Sequence, residues 1–382
     1  MHAVDYRSIL FVSAFLLLVD PFVEKGSAGG TVAQPNSVER DNRLTQNGFV
    51  KINGTPRLMI GLYELPRDEE KLAEMAANGC NLVRVPQDSS VLDRVQKHGL
   101  YAWICLGSMV QLDRNNAEGE QRLAGTINQF KEHPALLVWE LPDEALWNIW
   151  WYDQMVDAAG CDIYPVPFNY GVGHSDLKDT NLSSVGVYTD RMREAAPGKA
   201  IWMVLQGFGW RDLSKEGKND PDPAKGRRPR FAETRFMAYD ALVHGAHALL
   251  YWGTDYIEKD SVLWKDLMKT AKELRALEPA LVGRHVEGTP MAVADETHGS
   301  VDGQGPTLML RRAADNWVLV AVNECTQGVS FQVQQLPKEM EGRTLYRLYS
   351  EESQVVTKGS FRDGIRGLGV HVYATSREFE SK

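Results

Sequence analysis

Cysteine is scarce in this chain. Its 382 residues include four, Cys80, Cys105, Cys161 and Cys325, and none forms a CxxC pair. Those spacings exclude a zinc ribbon and offer no disulfide framework. Cys80, Cys105 and Cys161 lie beside or inside strand patterns and read as small buried hydrophobes. Positive charge is also in deficit. The formal net charge is −9 and there is no basic run, which argues against a nucleic-acid partner. Long apolar runs are nearly absent. One, Ile9 to Val19, follows Arg7 and precedes Gly26-Ser27-Ala28-Gly29-Gly30. That layout is a secretory signal peptide, too short to cross a bilayer as a helix. No cysteine follows the run, which speaks against a bacterial lipid anchor. The expectation is a signal over 1–30, a polar linker over 31–46, and a secreted or periplasmic protein with no membrane span once the signal is removed. No His-x-His occurs on the first strand, and Gly245 separates His244 from His247. A metal-dependent amidohydrolase is therefore not supported, and neither metal nor organic cofactor is expected.

What remains is ordinary globular composition, 43% hydrophobic and 24% charged. Phe49 to Ile60 reads as a hairpin turning at Asn53-Gly54, and its second arm runs on into a first buried strand, Gly61 to Leu65. Further strands are expected at Asn81–Pro86, Tyr101–Leu106, Ala135–Glu140, Cys161–Pro167, Ala200–Gln206 and Ala248–Gly253. Helical apolar spacing separates most of them, as in Leu72, Met75 and Ala76, or Leu123, Ile127 and Phe130. Strand alternating with helix implies βα units around a parallel sheet. The count is seven strands where a (β/α)₈ barrel needs eight. Only about fifteen residues separate Glu144 from Cys161, room for one helix and no more. Residues 47–284 are expected to form a TIM-type barrel that lacks one βα unit near residue 151, or that closes with seven strands. Residues 285–382 change texture. Short strands at Thr307–Leu310, Trp317–Val322, Val329–Val333, Thr344–Leu348 and Val370–Tyr373, parted by Gly, Asp and Asn, read as an antiparallel β-sandwich.

The stretch from His133 to Trp147 organises the barrel. Pro134 stops the preceding helix, a short apolar run suits a buried parallel strand, and the hydrophobicity then ends in Glu140, Asp143 and Glu144. Glu140 and Glu144 share strand parity. Carboxylates at the end of a buried strand are costly to desolvate, a cost accepted where the acid does chemistry or joins an ion-pair network at the rim.

Trp139-Glu140-Leu141-Pro142-Asp143-Glu144 resembles the fourth barrel strand of the clan-A glycoside hydrolases, an aromatic-Glu-apolar-any-Asn-Glu pattern. The resemblance covers most of 47–280 through short motifs. It implies a (β/α)₈ barrel, carbohydrate as substrate, and Glu144 as general acid/base. Asp143 stands where the clan has Asn, which puts the contact to the sugar 2-hydroxyl in doubt. By the same resemblance Arg84 matches the second-strand arginine, Tyr164 the sixth-strand tyrosine, and Trp252 the eighth-strand tryptophan that stacks under the reacting sugar. Counted this way, the missing unit is the fifth strand and its helix. At the end of the apparent seventh strand the clan's nucleophilic Glu is replaced by Gln206, which cannot ionise.

Active sites of such barrels sit at the carboxyl ends of the strands. Collected there, the expected catalytic residues are Glu144, Asp162 and Glu140. The expected substrate contacts are Glu64, Arg84, Asp143, Trp147, Tyr164, His174, Gln206, Trp252 and Asp255. Sugars need acids for proton transfer, flat aromatic faces for their C–H surfaces and donors for their hydroxyls. With Gln206 in the nucleophile's place, either another carboxylate (Asp162 first) acts, or the substrate supplies its own nucleophile, or the barrel binds glycan without cleaving it. The expectation is a glycoside hydrolase. The alternative is a non-catalytic glycan-binding protein on the same scaffold.

Overall fold

The computed structural model describes residues 12–17, 44–112, 116–141, 156–167, 181–286, 290–295 and 305–381. After a hairpin of β2 (Val50–Ile52) and β3 (Thr55–Arg57), seven parallel strands curl around an axis. They are β4 (Met59–Leu62), β5 (Leu82–Val85), β6 (Tyr101–Cys105), β7 (Leu136–Glu140), β8 (Ala158–Ile163), β9 (Ala200–Gln206) and β10 (Ala248–Trp252). Helices α1 (Glu69–Ala77), α2 (Ser89–Lys97), α3 (Ala117–Phe130), α4 (Ser184–Ala195), α5 (Phe231–Val243) and α6 (Val262–Leu281) cover the outside.

The seven-strand count is thus seen in the structure, and so is the gap. It lies between β7 and β8 and is filled from an unexpected source. β1 (Val12–Leu17) enters antiparallel, pairing Phe15 with Glu140 on one side and Val12 with Cys161 on the other, and closes the ring. These are residues of the apolar run read as an export signal. An apolar segment that is too short to span a bilayer has the right length for a barrel strand.

Strand parity divides the core into two layers. Met59, Leu82, Trp103, Val138, Ala158, Trp202, Val204 and Leu250 fill the barrel interior. Leu62, Val83, Ile104, Cys161, Met203 and Leu249 face outward onto Leu72, Leu92, Phe236 and Leu274 of the helices. Helix stops follow the sequence. Gly79 (φ 94°) lies one residue past the Asn78 cap of α1, and a Cβ there would lie 2.5 Å from Arg275 Cβ. Pro279 stands inside α6, whose final turn buries Ala280 and Leu281.

Beyond β11 (Arg284–His285) two antiparallel sheets form. One has the order β11-β13-β14-β19-β16-β17 and the other β12-β15-β18. The strands are β12 (Met291–Ala294), β13 (Thr307–Ala313), β14 (Asn316–Val322), β15 (Val329–Gln334), β16 (Thr344–Arg347), β17 (Ser353–Val355), β18 (Phe361–Ile365) and β19 (Val370–Ala374). The central strand of the larger sheet is buried on both faces. In β14, Trp317, Leu319 and Ala321 point into the sandwich, while Val318, Val320 and Val322 join the layer over the barrel helices. Trp317 is 3% exposed and belongs to the sandwich core. All four cysteines are free thiols. Among the described residues no helix is long and apolar enough to cross a membrane.

Candidate active site

The carboxyl ends of the strands gather an acid, a cation and a wall of aromatic rings. Glu140 ends β7 on inward parity and is fully buried. Arg84, inward on β5, lies 3.0 Å from Glu140 Oε2, and Trp103 Nε1 donates to the same oxygen at 3.3 Å. Tyr63 lies under the Arg84 guanidinium at 5.5 Å and packs edge-on to Trp103. Burial pulls the Arg84 guanidinium down, but Glu140, then Cys105 and Tyr63, outweigh it and hold it above its ordinary range. Arg84 therefore steadies a carboxylate, one on β7.

Asp162 shares its parity with Ala158 and Tyr164 of the inner layer, so it faces the barrel interior and is half-buried. Through β1, Glu140 is level with Ala158, four residues before Asp162. That sets Asp162 about 13 Å further along the strand direction, with two strand spacings between them. Glu140 and Asp162 are thus not the pair about 5 Å apart of a retaining glycosidase.

Tyr164 stacks on Trp252 at 5.6 Å with the rings 22° apart, and Phe208 meets both edge-on. Trp210 and Tyr256 extend this wall toward solvent. Glu64 fixes one edge of it. Its Oε1 accepts from Gly253 N at 2.9 Å, and its Oε2 accepts from Thr254 N at 2.9 Å and Thr254 Oγ1 at 2.8 Å. Burial lifts the Glu64 carboxyl above its usual range, and the three donors from Gly253 and Thr254 pull it only part of the way back. Glu64 was expected to touch substrate. Its carboxylate ties the end of β4 to the loop that follows Trp252. Asp255 is exposed, with Lys259 Nζ 3.7 Å away.

Gln206 was expected among the substrate contacts, and the structure turns its amide onto backbone groups. It is fully buried, accepts from Val166 N at 2.9 Å, and donates to Val166 O at 2.6 Å and Phe208 O at 3.0 Å. The amide stitches β9 to the chain after β8 and offers nothing to the mouth. Asp143, Glu144, Trp147 and His174 lie outside the described residues. Tyr63, Trp103 and Phe208 were not singled out from sequence. Tyr63 immediately precedes Glu64, and Trp103 is level with Arg84 on the neighbouring strand, but nothing short of the pairing register shows that they meet. Among the described residues one group of side chains has metal-ligand spacing, Asp240, His244 and Glu324, and it lies at the opposite face of the barrel.

Fold and site together define a TIM-type barrel that carries a β-sandwich, with acids and aromatics at its mouth. Two of the solved structures that resemble this fold are as follows. One is described as a glycoside hydrolase, with TM-score 0.58 and 13% identity over 87% of this chain and 95% of that one. The other is a family 5 glycoside hydrolase from Bacteroides vulgatus, with TM-score 0.55 and 13% identity over 86% of this chain and 90% of that one. No family model and no curated protein matches the sequence. At this identity the likeness is one of fold, and it agrees with the barrel read from the sequence.

Proposed function

We propose that the chain hydrolyses a glycosidic bond in an oligo- or polysaccharide, with Glu144 as general acid. The observation that carries this reading is the Arg84–Glu140 pair buried beneath a mouth walled by Tyr164, Trp252 and Trp210. Such a wall suits the C–H face of a sugar ring, and a fixed internal carboxylate sets the potential in which a second acid keeps its proton. Glu144 follows Glu140, the last residue of β7, by four residues, and four residues of chain span at most about 14 Å. Glu140 is too deep to touch substrate and acts through Arg84. The second carboxylate is assigned to Asp162, inward on β8, which would activate a water molecule rather than form a glycosyl ester. Asp143, Trp147 and His174 are the remaining proposed sugar contacts.

The rival reading, a glycan-binding protein without turnover, is favoured by Gln206, because its amide stands where a nucleophile is needed and is locked to backbone. A screen of aryl glycosides and polysaccharides separates the two. Turnover that falls at least about 100-fold in Glu144→Gln supports hydrolysis. Saturable binding without turnover in the unmodified protein supports the rival, and unchanged turnover in Glu144→Gln removes Glu144 from the mechanism.

Export is also proposed, on the Arg7, apolar-run and small-residue layout. Cleavage near residue 30 would take β1 with it.

A further inference from the structure

We propose that Asp240, His244 and Glu324 hold a structural divalent cation that pins the sandwich to the floor of the barrel. Each offers a ligand atom, and the three atoms lie within 4.8 Å of one another. They come from two parts of the chain. Asp240 is on α5, His244 is its C-cap, and Glu324 follows β14 of the sandwich. The loop between α5 and β10 belongs to the amino-terminal face of the barrel, where built features serve stability rather than chemistry.

Asp240 is fully buried. Its Oδ2 accepts from Gly186 N at 2.7 Å, and its Oδ1 has no hydrogen-bond partner among the described residues. An unmet buried carboxylate oxygen is costly, and a cation is the ligand that satisfies it. The histidine is oriented for the same purpose. Its Nδ1 lies 2.8 Å from Asp190 Oδ2, which leaves Nε2 pointing at Glu324 Oε1, 3.0 Å away. A carboxylate behind one ring nitrogen is the usual outer support of a metal-bound histidine, and an ion would replace the direct contact of Nε2 with Glu324. Charge agrees. Arg193 pairs with Asp190 at 3.2 Å, so with His244 neutral and both carboxyls ionised, Asp240 and Glu324 would present two negative charges for one divalent ion to balance. One nitrogen and two carboxylate oxygens suit zinc or manganese. Without an ion, the same cage would hold His244 as an imidazolium. Burial works against that form, but Glu324, Asp240 and Asp190 lift its pKa to about 9.

The two states are separable in the untagged full-length chain. After chelator treatment and dialysis against dilute zinc chloride, the protein should retain about one zinc per chain, and its Tm should rise by at least about 4 °C. Asp240→Asn should lose both effects. Glu324→Gln, at the partly exposed sandwich side, should lose both while keeping the far-ultraviolet circular dichroism of the parent. Zinc content and Tm in the parent no different from those in Glu324→Gln overturn the proposal and leave the bridging imidazolium.

Discussion

Gln206 stands where a covalent mechanism would need a carboxylate, and the atoms around it are arranged for an amide. Its Nε2 faces two carbonyl oxygens, those of Val166 and Phe208. Gln206→Glu would aim a carboxylate oxygen at both. We expect a loss of about 3 kcal/mol in chemical denaturation and no gain in glycosidase turnover, since a buried charge without donors is destabilising. Unchanged stability together with a trapped glycosyl ester would show that the site was waiting for its nucleophile. Arg84 and Glu140 make the converse case, a charge that is answered. Arg84→Met leaves Glu140 without its cation and should cost about 3 kcal/mol. Adding Glu140→Gln should recover most of that, and a double-mutant cycle with no coupling between the two would rule out the pair as a unit. Neither partner was hard to single out as a polar residue at a strand end. Their pairing was not legible, because parity shows which face a side chain takes but not which strands become neighbours.

Among the elements, β18 shows how an acid can face a core. Phe361, Asp363 and Ile365 share one parity, and the two flanking residues are buried in the sandwich. Asp363 is tolerated between them because Tyr373 Oη donates to it at 2.6 Å and Gly364 N at 2.8 Å, with His371 Nδ1 and Arg347 Nη1 each at 3.5 Å. Burial works to raise its carboxyl, but these donors outweigh it and bring it down to about 2. A carboxyl depressed from about 4 contributes stability that is complete above pH 4 and is lost as pH falls toward 2. Asp363→Asn should therefore be less stable than the parent at pH 7 and should lack the parent's step in urea midpoint between pH 4 and 2. A parallel acid limb in the two proteins would contradict this. β18 was missed from sequence because Phe-Arg-Asp-Gly-Ile alternates only once its aspartate is counted as inward. The short Ser353–Val355 strand, β17, was missed because it is polar and lies at a sheet edge. The strands that were found, β7 and β14 among them, carry runs of buried apolar residues.

At the scale of the whole molecule, the ring is closed by β1, and the sandwich is fastened to the barrel through Val318, Val320 and Val322. β1 supplies the ladder partners of Val138 to Glu140 and of Ala158 to Cys161. A chain beginning at residue 31 should lose amide-exchange protection at both strands and unfold at lower temperature than the full-length chain, since two strand edges are left unpaired. Equal protection in the two forms would mean that β7 and β8 close on each other without β1. Intact mass of the protein recovered from an exporting host decides which form is mature.

Hydrophobic periodicity, turn residues and helix stops are local, so the sequence by itself determined the alternation of strand and helix, the count of seven parallel strands, the change to a sandwich, and the acids and aromatics at strand ends. Neighbourhood is not local. Tertiary structure alone decided that the amino-terminal run fills the missing strand's place, that Gln206 serves the backbone, that Glu64 anchors a loop, and that Asp240, His244 and Glu324 meet from two domains. Each depends on which backbone groups are left without water or a partner once the sheets are assembled, and that is settled only when the whole chain packs.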